Sequence, residues 1–256
     1  MSADELLNVA FFGATGGTVF SCLVHALKKE YIHCHVLVRD TGKLHRLLTG
    51  ATGTSSHDLL RVIQGDIRSR SAVKSTIFPP CEILTGPVDV IIFGVGGVDV
   101  HGRMIYDSDV SKDGISTVFQ ALISEPSECP RIVAIGSLGI GGQVTRLLTR
   151  TPSAEAASAR ASYAWFKGSS AYDDKSELEE VVLDEMQEAG LECFDNLVVQ
   201  PGLLTDNRPL GLAAIRHGSP GNPPPGYFIS REDLGEWLFY HGILGAMEGA
   251  VVVCGP

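Results

Sequence analysis

The chain has 256 residues, 44% of them hydrophobic and 20% charged, which is the balance of one globular α/β domain. Its net charge of −10 argues against nucleic acid or an anionic membrane surface as partner, although a local anion cradle remains compatible with it. No apolar run approaches the roughly 18 residues of a membrane span, and the acidic opening MSADELLN lacks the basic-then-apolar order of a secretory signal.

The first predicted element is the apolar strand Val9 to Phe12, which breaks at Gly13 and passes through Gly16-Gly17 into a helix. In that helix Phe20, Leu23, Val24 and Leu27 recur at i, i+3, i+4 and i+7, one face of a 3.6-residue repeat. Strand, glycine turn and helix open a dinucleotide-binding βαβ unit. Gly13 permits the turn, and Gly16 lets the backbone approach a pyrophosphate that the helix N-terminus favours. Thr15, Gly17 and Thr18 complete the expected cradle. A third glycine would stand at position 19, where this chain has Val19. That substitution is expected to push the helix slightly outward without abolishing the anion site.

The second strand, HCHVLV from His33 to Val38, ends at Arg39-Asp40 with Lys43 a turn later. An acidic tip here would accept the ribose hydroxyls of NAD, whereas a guanidinium offers a planar fork to the 2′-phosphate of NADP. Arg39 therefore points to NADP(H). His33 and His35 share one strand face, with Cys34 on the other and no carboxylate-rich motif after them, so no metal is expected. The six cysteines contain no C-x-x-C pair, the usage of a reducing compartment, and a cytoplasmic location is expected.

A short helix is predicted from Thr41 to Leu48, then a strand from Leu59 to Ile63 and the turn Gly65-Asp66. Asp66 is placed to meet an adenine edge, to cap the helix from about Ser69 to Ile77, or both. The run Val88 to Phe93 is a fourth, fully buried strand that ends in the glycine-rich exit Gly94-Val95-Gly96-Gly97, where backbone can approach the cofactor. A polar loop (101–109), a helix (Val110 to Ile123) and a fifth strand (Arg131 to Ile135) lead to Gly136-Ser137. Residues 138–170 read as loop or small helices lining a substrate site. Tyr172 to Ala189 reads as a helix ended by Gly190, and Glu192 to Val199 as a sixth strand before Gln200-Pro201-Gly202. The proline- and glycine-rich stretch 207–226 is expected to be coil, so that 203–229 covers the site. Tyr227 to Ile229 is a short strand. Ser230 and Asp233 have capping-box spacing before a helix from Leu234 to Ile243, and Ala250 to Cys254 closes as an edge-region strand. The whole reads as a single Rossmann-type doubly wound parallel sheet over residues 1–256.

Taken together, GATGGT at 13–18, VLVRD at 36–40, QGDI at 64–67, VIIFGVGG at 90–97, IVAIGS at 132–137, YDDKSELEEVV at 172–182, VVQPGLLTD at 198–206 and YFISREDLGEW at 227–237 resemble a family. The chain is similar to atypical short-chain dehydrogenase/reductases of the NmrA-like and biliverdin-reductase-B-like group, which includes fungal averufin-oxidase-type biosynthetic proteins. Val19 departs from the pattern, as does Gln200, where the family commonly has arginine. The resemblance implies a Rossmann fold, an NAD(P) cofactor and a small-molecule substrate of secondary metabolism, in a monomer or homodimer.

Typical members of that superfamily use Ser, Tyr and Lys, the last two spaced Y-x-x-x-K. Four residues apart on a helix they share a face, so the ammonium binds ribose and lowers the phenol pKa while the phenol protonates a carbonyl. Here Ser137 matches the serine, and two lysines compete. Tyr163 and Lys167 have the spacing, but Gly168-Ser169-Ser170 interrupts their helix. Lys175 opens the helix leading to the sixth strand and matches the family's lysine in position, yet Ala171 stands four before it and Tyr172 three before. Strand–helix order favours Lys175. Three functions fit: an NADPH-dependent reductase of a cyclic or polyketide-like molecule, a non-redox isomerase or cyclase on the same fold, and an NADP(H)-binding sensor.

Overall fold

The computed structural model describes residues 6–80, 86–96, 107–124, 130–138, 140, 154–167, 169–185 and 196–256. Its strands are β1 (Leu7–Phe12), β2 (Ile32–Val38), β3 (Leu60–Gln64), β4 (Val90–Phe93), β5 (Arg131–Ile135), β6 (Leu197–Pro201), β7 (Leu203–Thr205), β8 (Arg216–Gly218), β9 (Phe228–Ser230) and β10 (Gly249–Cys254). The helices are α1 (Gly17–Ala26), α2 (Thr41–Thr52), α3 (Arg70–Ile77), α4 (Val110–Ile123), α5 (Ala154–Lys167), α6 (Ser170–Glu180) and α7 (Arg231–Trp237). A wider helical turn extends α6 through Val181–Glu185, and another extends α7 through Leu238–Ile243.

Eight strands form one sheet in the order β3-β2-β1-β4-β5-β6-β10-β8, parallel throughout except for β8. Strands covered on both faces need unbroken apolar runs, and β1 supplies one. Its Val9 and Phe11 enter one core and Ala10 and Phe12 the other. The first core is completed by α1, α2 and α7, through residues such as Leu23, Leu44 and Trp237. The second is completed by α3, α4 and α6, through Val73, Val118 and Leu178. The chain builds outward from β1 to β3 and returns to β4, so strand order reverses between β1 and β4. Ligands of open α/β sheets bind at the carboxyl ends of the strands beside such a reversal.

Several boundaries differ from the sequence reading. Helix α2 runs on to Thr52 and stops at Gly53, whose φ of 78° is the left-handed conformation of a glycine terminus. Residues 154–167 form one helix instead of loop or several small ones. The sixth strand lies at Leu197–Pro201, later than expected; residues 191–195, with the proposed helix end at Gly190, fall outside the described residues. The same holds for Gly97 and most of the 101–109 loop. The stretch 207–226 is not all coil, because Leu212–Ala214 makes a tight helical turn and β8 follows it. β8 pairs antiparallel outside β10, so β10 is an interior strand.

Among the described residues, no helix is long and apolar enough to cross a membrane, and no three His, Cys, Asp or Glu side chains gather as a metal site requires. Cys22, Cys34 and Cys254 are buried free thiols. Burial pushes the thiols of Cys22 and Cys254 well up, the latter to about 12.

Candidate functional site

The glycine turn sits at the reversal between β1 and β4. Gly13 has φ 90°, and a Cβ there would stand 2.6 Å from the carbonyl oxygen of Gly94. The two strand exits thus touch through backbone, and Gly94 N–H donates to Phe12 O at 3.0 Å. Val19 is buried, and its Cγ2 occupies the place of a Cβ on residue 94. Room for the valine comes from the facing strand exit, where Gly94 has no side chain. Gly16 closes the turn by donating to Gly13 O at 2.9 Å, and a Cβ on it would meet nothing else within 4 Å beyond its neighbours.

The N-terminus of α1 is unlike most of the others. Asp40 caps α2 by accepting from Lys43 N at 2.8 Å, and Ser69 caps α3 by accepting from Ala72 N. Ser230 caps α7 by accepting from Asp233 N at 2.9 Å. At α1 the cap is Gly16, with no side-chain hydrogen bond and no acidic residue in the first turn. Thr18 Oγ1 is buried there without a hydrogen-bond partner among the described residues. These orphan N–H groups and the positive end of the helix dipole make an anion site.

At the tip of β2 Arg39 is exposed, and its charge helps to hold the Asp107 carboxyl low, after the larger effect of Arg68. Arg68 is engaged on both sides, with Asp107 (Nη2 to Oδ1, 2.6 Å) and with Asp113 (Nε to Oδ2, 2.6 Å). Asp66 is exposed and accepts from Arg68 N at 2.9 Å, so it shapes the turn before α3 and leaves the cap to Ser69.

Across the reversal, Lys175 Nζ donates to Val95 O at 2.8 Å and Ile135 O at 3.0 Å, bridging the ends of β4 and β5. Desolvation lowers its pKa to about 8, against the attraction of Asp174 and Glu179. Lys167 is exposed on α5. Two acidic residues of α6 near Lys175, Asp174 and Glu179, are site positions that the sequence motifs do not single out. Asp174 is buried and accepts from Ser111 N (3.1 Å) and Lys112 N (2.8 Å), so one helix caps another, α4. Glu179 is also buried; its Oε1 accepts from Ser137 N at 3.0 Å and its Oε2 from Gln200 Nε2 at 2.7 Å. Burial raises its carboxyl to about 7, partly offset by Ser137, Gln200 and Lys175. The signal was present: Glu179 lies at i+4 from Lys175, and its partner Gln200 is the position departing from the family pattern.

The tyrosines left open by the sequence meet. The side chains of Tyr163 and Tyr172 are hydrogen-bonded, and burial with Tyr172's influence raises the Tyr163 phenol to about 12. Tyr163 also joins Leu138, Leu203, Tyr227 and Phe228 in a partly buried apolar group next to Ser137.

Residues 13–240 match the family model for NAD(P)H-binding. The chain belongs to that family. Reductase pytE of Aspergillus terreus is 30% identical over 252 residues, covering 91% of this chain and 90% of that protein. Oxidase pynE of Aspergillus niger is 26% identical over 257 residues, covering 91% of each. A wide-type short-chain dehydrogenase/reductase from Veillonella parvula, in complex with NADP, shares the fold. It has a TM-score of 0.67 at 12% identity, over 98% of this chain and 95% of that one. The chain is an NAD(P)H-binding protein, and it shares its fold with short-chain dehydrogenase/reductases.

The residues present fit a dinucleotide. The turn from Gly13 through Thr15, Gly16 and Gly17 to Thr18 presents backbone N–H groups, a Cβ on Gly16 would crowd Gly13 O at 3.3 Å, and Lys175 and Gly94 lie at the adjoining strand ends.

Proposed function

We propose that this protein is an NADPH-dependent reductase of a small, uncharged cyclic or polyketide-like molecule. The observation that carries the reading is the apolar group of Leu138, Tyr163, Leu203, Tyr227 and Phe228 beside Ser137 at the carboxyl ends of the strands. Such a wall suits an apolar ring, with few polar groups to orient it. The names of the two fungal relatives, a reductase and an oxidase, support redox chemistry over isomerisation or sensing.

When bound, the reduced nicotinamide supplies hydride. Gly13, Thr15, Gly16, Gly17 and Thr18 would hold the pyrophosphate, Arg39 would take the 2′-phosphate and Asp66 would meet the adenine edge. Lys175 holds the nicotinamide-side ribose from its seat on Val95 O and Ile135 O. Ser137 orients the substrate oxygen, its backbone fixed by Glu179. Tyr163 and Tyr172 close the wall behind it.

The test is NADPH oxidation by the purified protein against quinones, cyclic ketones and polyketide-derived enones, with product identified by mass. Substrate-dependent oxidation is expected. Tight NADPH binding with product formed but no cofactor consumed would replace this reading with the isomerase or cyclase.

A further inference from the structure

Arg231, the first residue of α7, lies across the glycine turn. A Cβ on Gly17 would stand 2.8 Å from Arg231 Cδ, so the arginine stem covers the first residue of α1. Farther along, α7 and α1 are in backbone-close contact: a Cβ on Gly235 would stand 2.6 Å from Thr18 O. The guanidinium is therefore carried by a helix whose position relative to the cradle is fixed by packing.

A cation beside the positive end of a helix is electrostatically misplaced unless an anion lies with it. Here Asp206 provides that anion, its Oδ1 accepting from Arg231 Nη1 at 2.7 Å. Asp206 is itself 71% exposed, follows β7, and belongs to the segment over the strand ends. An exposed partner of this kind holds a guanidinium weakly, because water competes for both groups. The same turn of α1 holds uncapped N–H groups and the unpartnered hydroxyl of Thr18.

We propose that Arg231 is a further cofactor-binding residue, whose guanidinium leaves Asp206 and pairs with the dinucleotide's pyrophosphate when the cofactor enters. This rests on the cofactor role of the glycine turn. Asp206 acts as a stand-in anion that keeps the cation in place until then. The exchange also links the cradle to the covering segment, since release of Asp206 frees one of its ties. Another tie, Asp233 accepting from Leu210 N at 3.0 Å and Gly211 N at 2.8 Å, persists.

The test is fluorescence titration with NADPH and with NADH separately, on the wild type, Arg231→Met, Arg231→Lys and Asp206→Asn, with thermal melting of each protein without cofactor. Methionine keeps the stem over Gly17 and removes the charge. It is expected to weaken both cofactors equally, by roughly 10- to 100-fold, the value of a charged hydrogen bond, while lysine restores part of the loss. Asp206→Asn leaves Arg231 in place and is expected to tighten both cofactors, so it stays decisive even if Arg231→Met fails to fold. Unchanged binding in a folded Arg231→Met, a loss confined to NADPH, or unchanged or weaker binding in Asp206→Asn overturns the proposal. Failure of the wild type to bind either cofactor would instead remove the cradle reading beneath it.

Discussion

Val19 Cγ2 fills the position that a side chain on Gly94 would need, and Ile135 Cδ1 bounds the same space, 2.8 Å from where that Cβ would stand. The helix α1 and the exit of β4 are thus fitted to each other by one valine and one glycine. Gly94→Ala should destabilise the fold by about 1–3 kcal/mol, the usual cost of overpacking. The double variant with Val19→Ala should recover most of that loss, because the two positions share one volume. Chemical denaturation of the two single variants and the double variant checks this. Additive losses would show that the valine and glycine are not coupled.

Arg39 should separate the two nicotinamide cofactors. With its guanidinium exposed at the tip of β2, Arg39→Ala is expected to weaken NADPH by about 1.5–3 kcal/mol, the range for a charged hydrogen bond, and to leave NADH nearly unchanged. Titration with both cofactors decides it. Equal losses, or none, would remove the NADP assignment.

The central strands and the glycine turn were legible because burial on both faces leaves apolar runs such as VIIF, and because a turn needing φ 90° at Gly13 demands glycine. β8 was not legible, since Arg216-His217-Gly218 carries no apolar signal and is held by pairing with β10. Asp174 and Glu179 were not legible for a different reason. Periodicity assigns charged residues of α6 to solvent, yet that face of the helix packs on the N-terminus of α4 and the exit of β5, where backbone N–H groups need acceptors. At Asp233 the expectation covers only half of what the residue does: Ser230 caps α7 through Asp233 N as the spacing indicates. Its carboxylate also accepts from Leu210 and Gly211 and so ties down the covering segment. Binary patterning records what a side chain is, and these three positions depend on which donors a distant segment brings.

The two lysines should behave differently. Lys175→Met removes the group that bridges Val95 O and Ile135 O, and should lower both cofactor affinity and turnover. Lys167→Ala, on an exposed position, should change either by no more than a few-fold. Tyr163→Phe is expected to cost less than about tenfold, because a phenol raised to about 12 is poorly matched to proton donation near neutrality. A loss of about 10²–10⁴, with cofactor binding intact, would make Tyr163 the general acid.

Glu179 should leave a signature in the pH dependence of stability. Its carboxyl titrates at about 7 in the fold, against an ordinary value of 4.5. Between those values the folded chain binds more protons than the unfolded one, so this group makes stability fall as pH rises through the window and contributes no further change above it. Charged Lys175, one turn earlier, faces it, while β5 and β6 present the uncharged Ser137 amide and Gln200. Glu179→Gln keeps the shape and can still accept from Ser137 N while Gln200 turns its amide. Other carboxylates titrate alike in both proteins and cancel in the difference. The variant should therefore match the wild type near pH 5. It should gain on it up to about pH 7, by on the order of 3 kcal/mol, before Lys175 begins to lose its own charge near pH 8. Denaturation of both proteins across the range measures the gap. A gap independent of pH would mean that Glu179 keeps its ordinary ionisation and that the Ser137 turn is held by a permanent carboxylate.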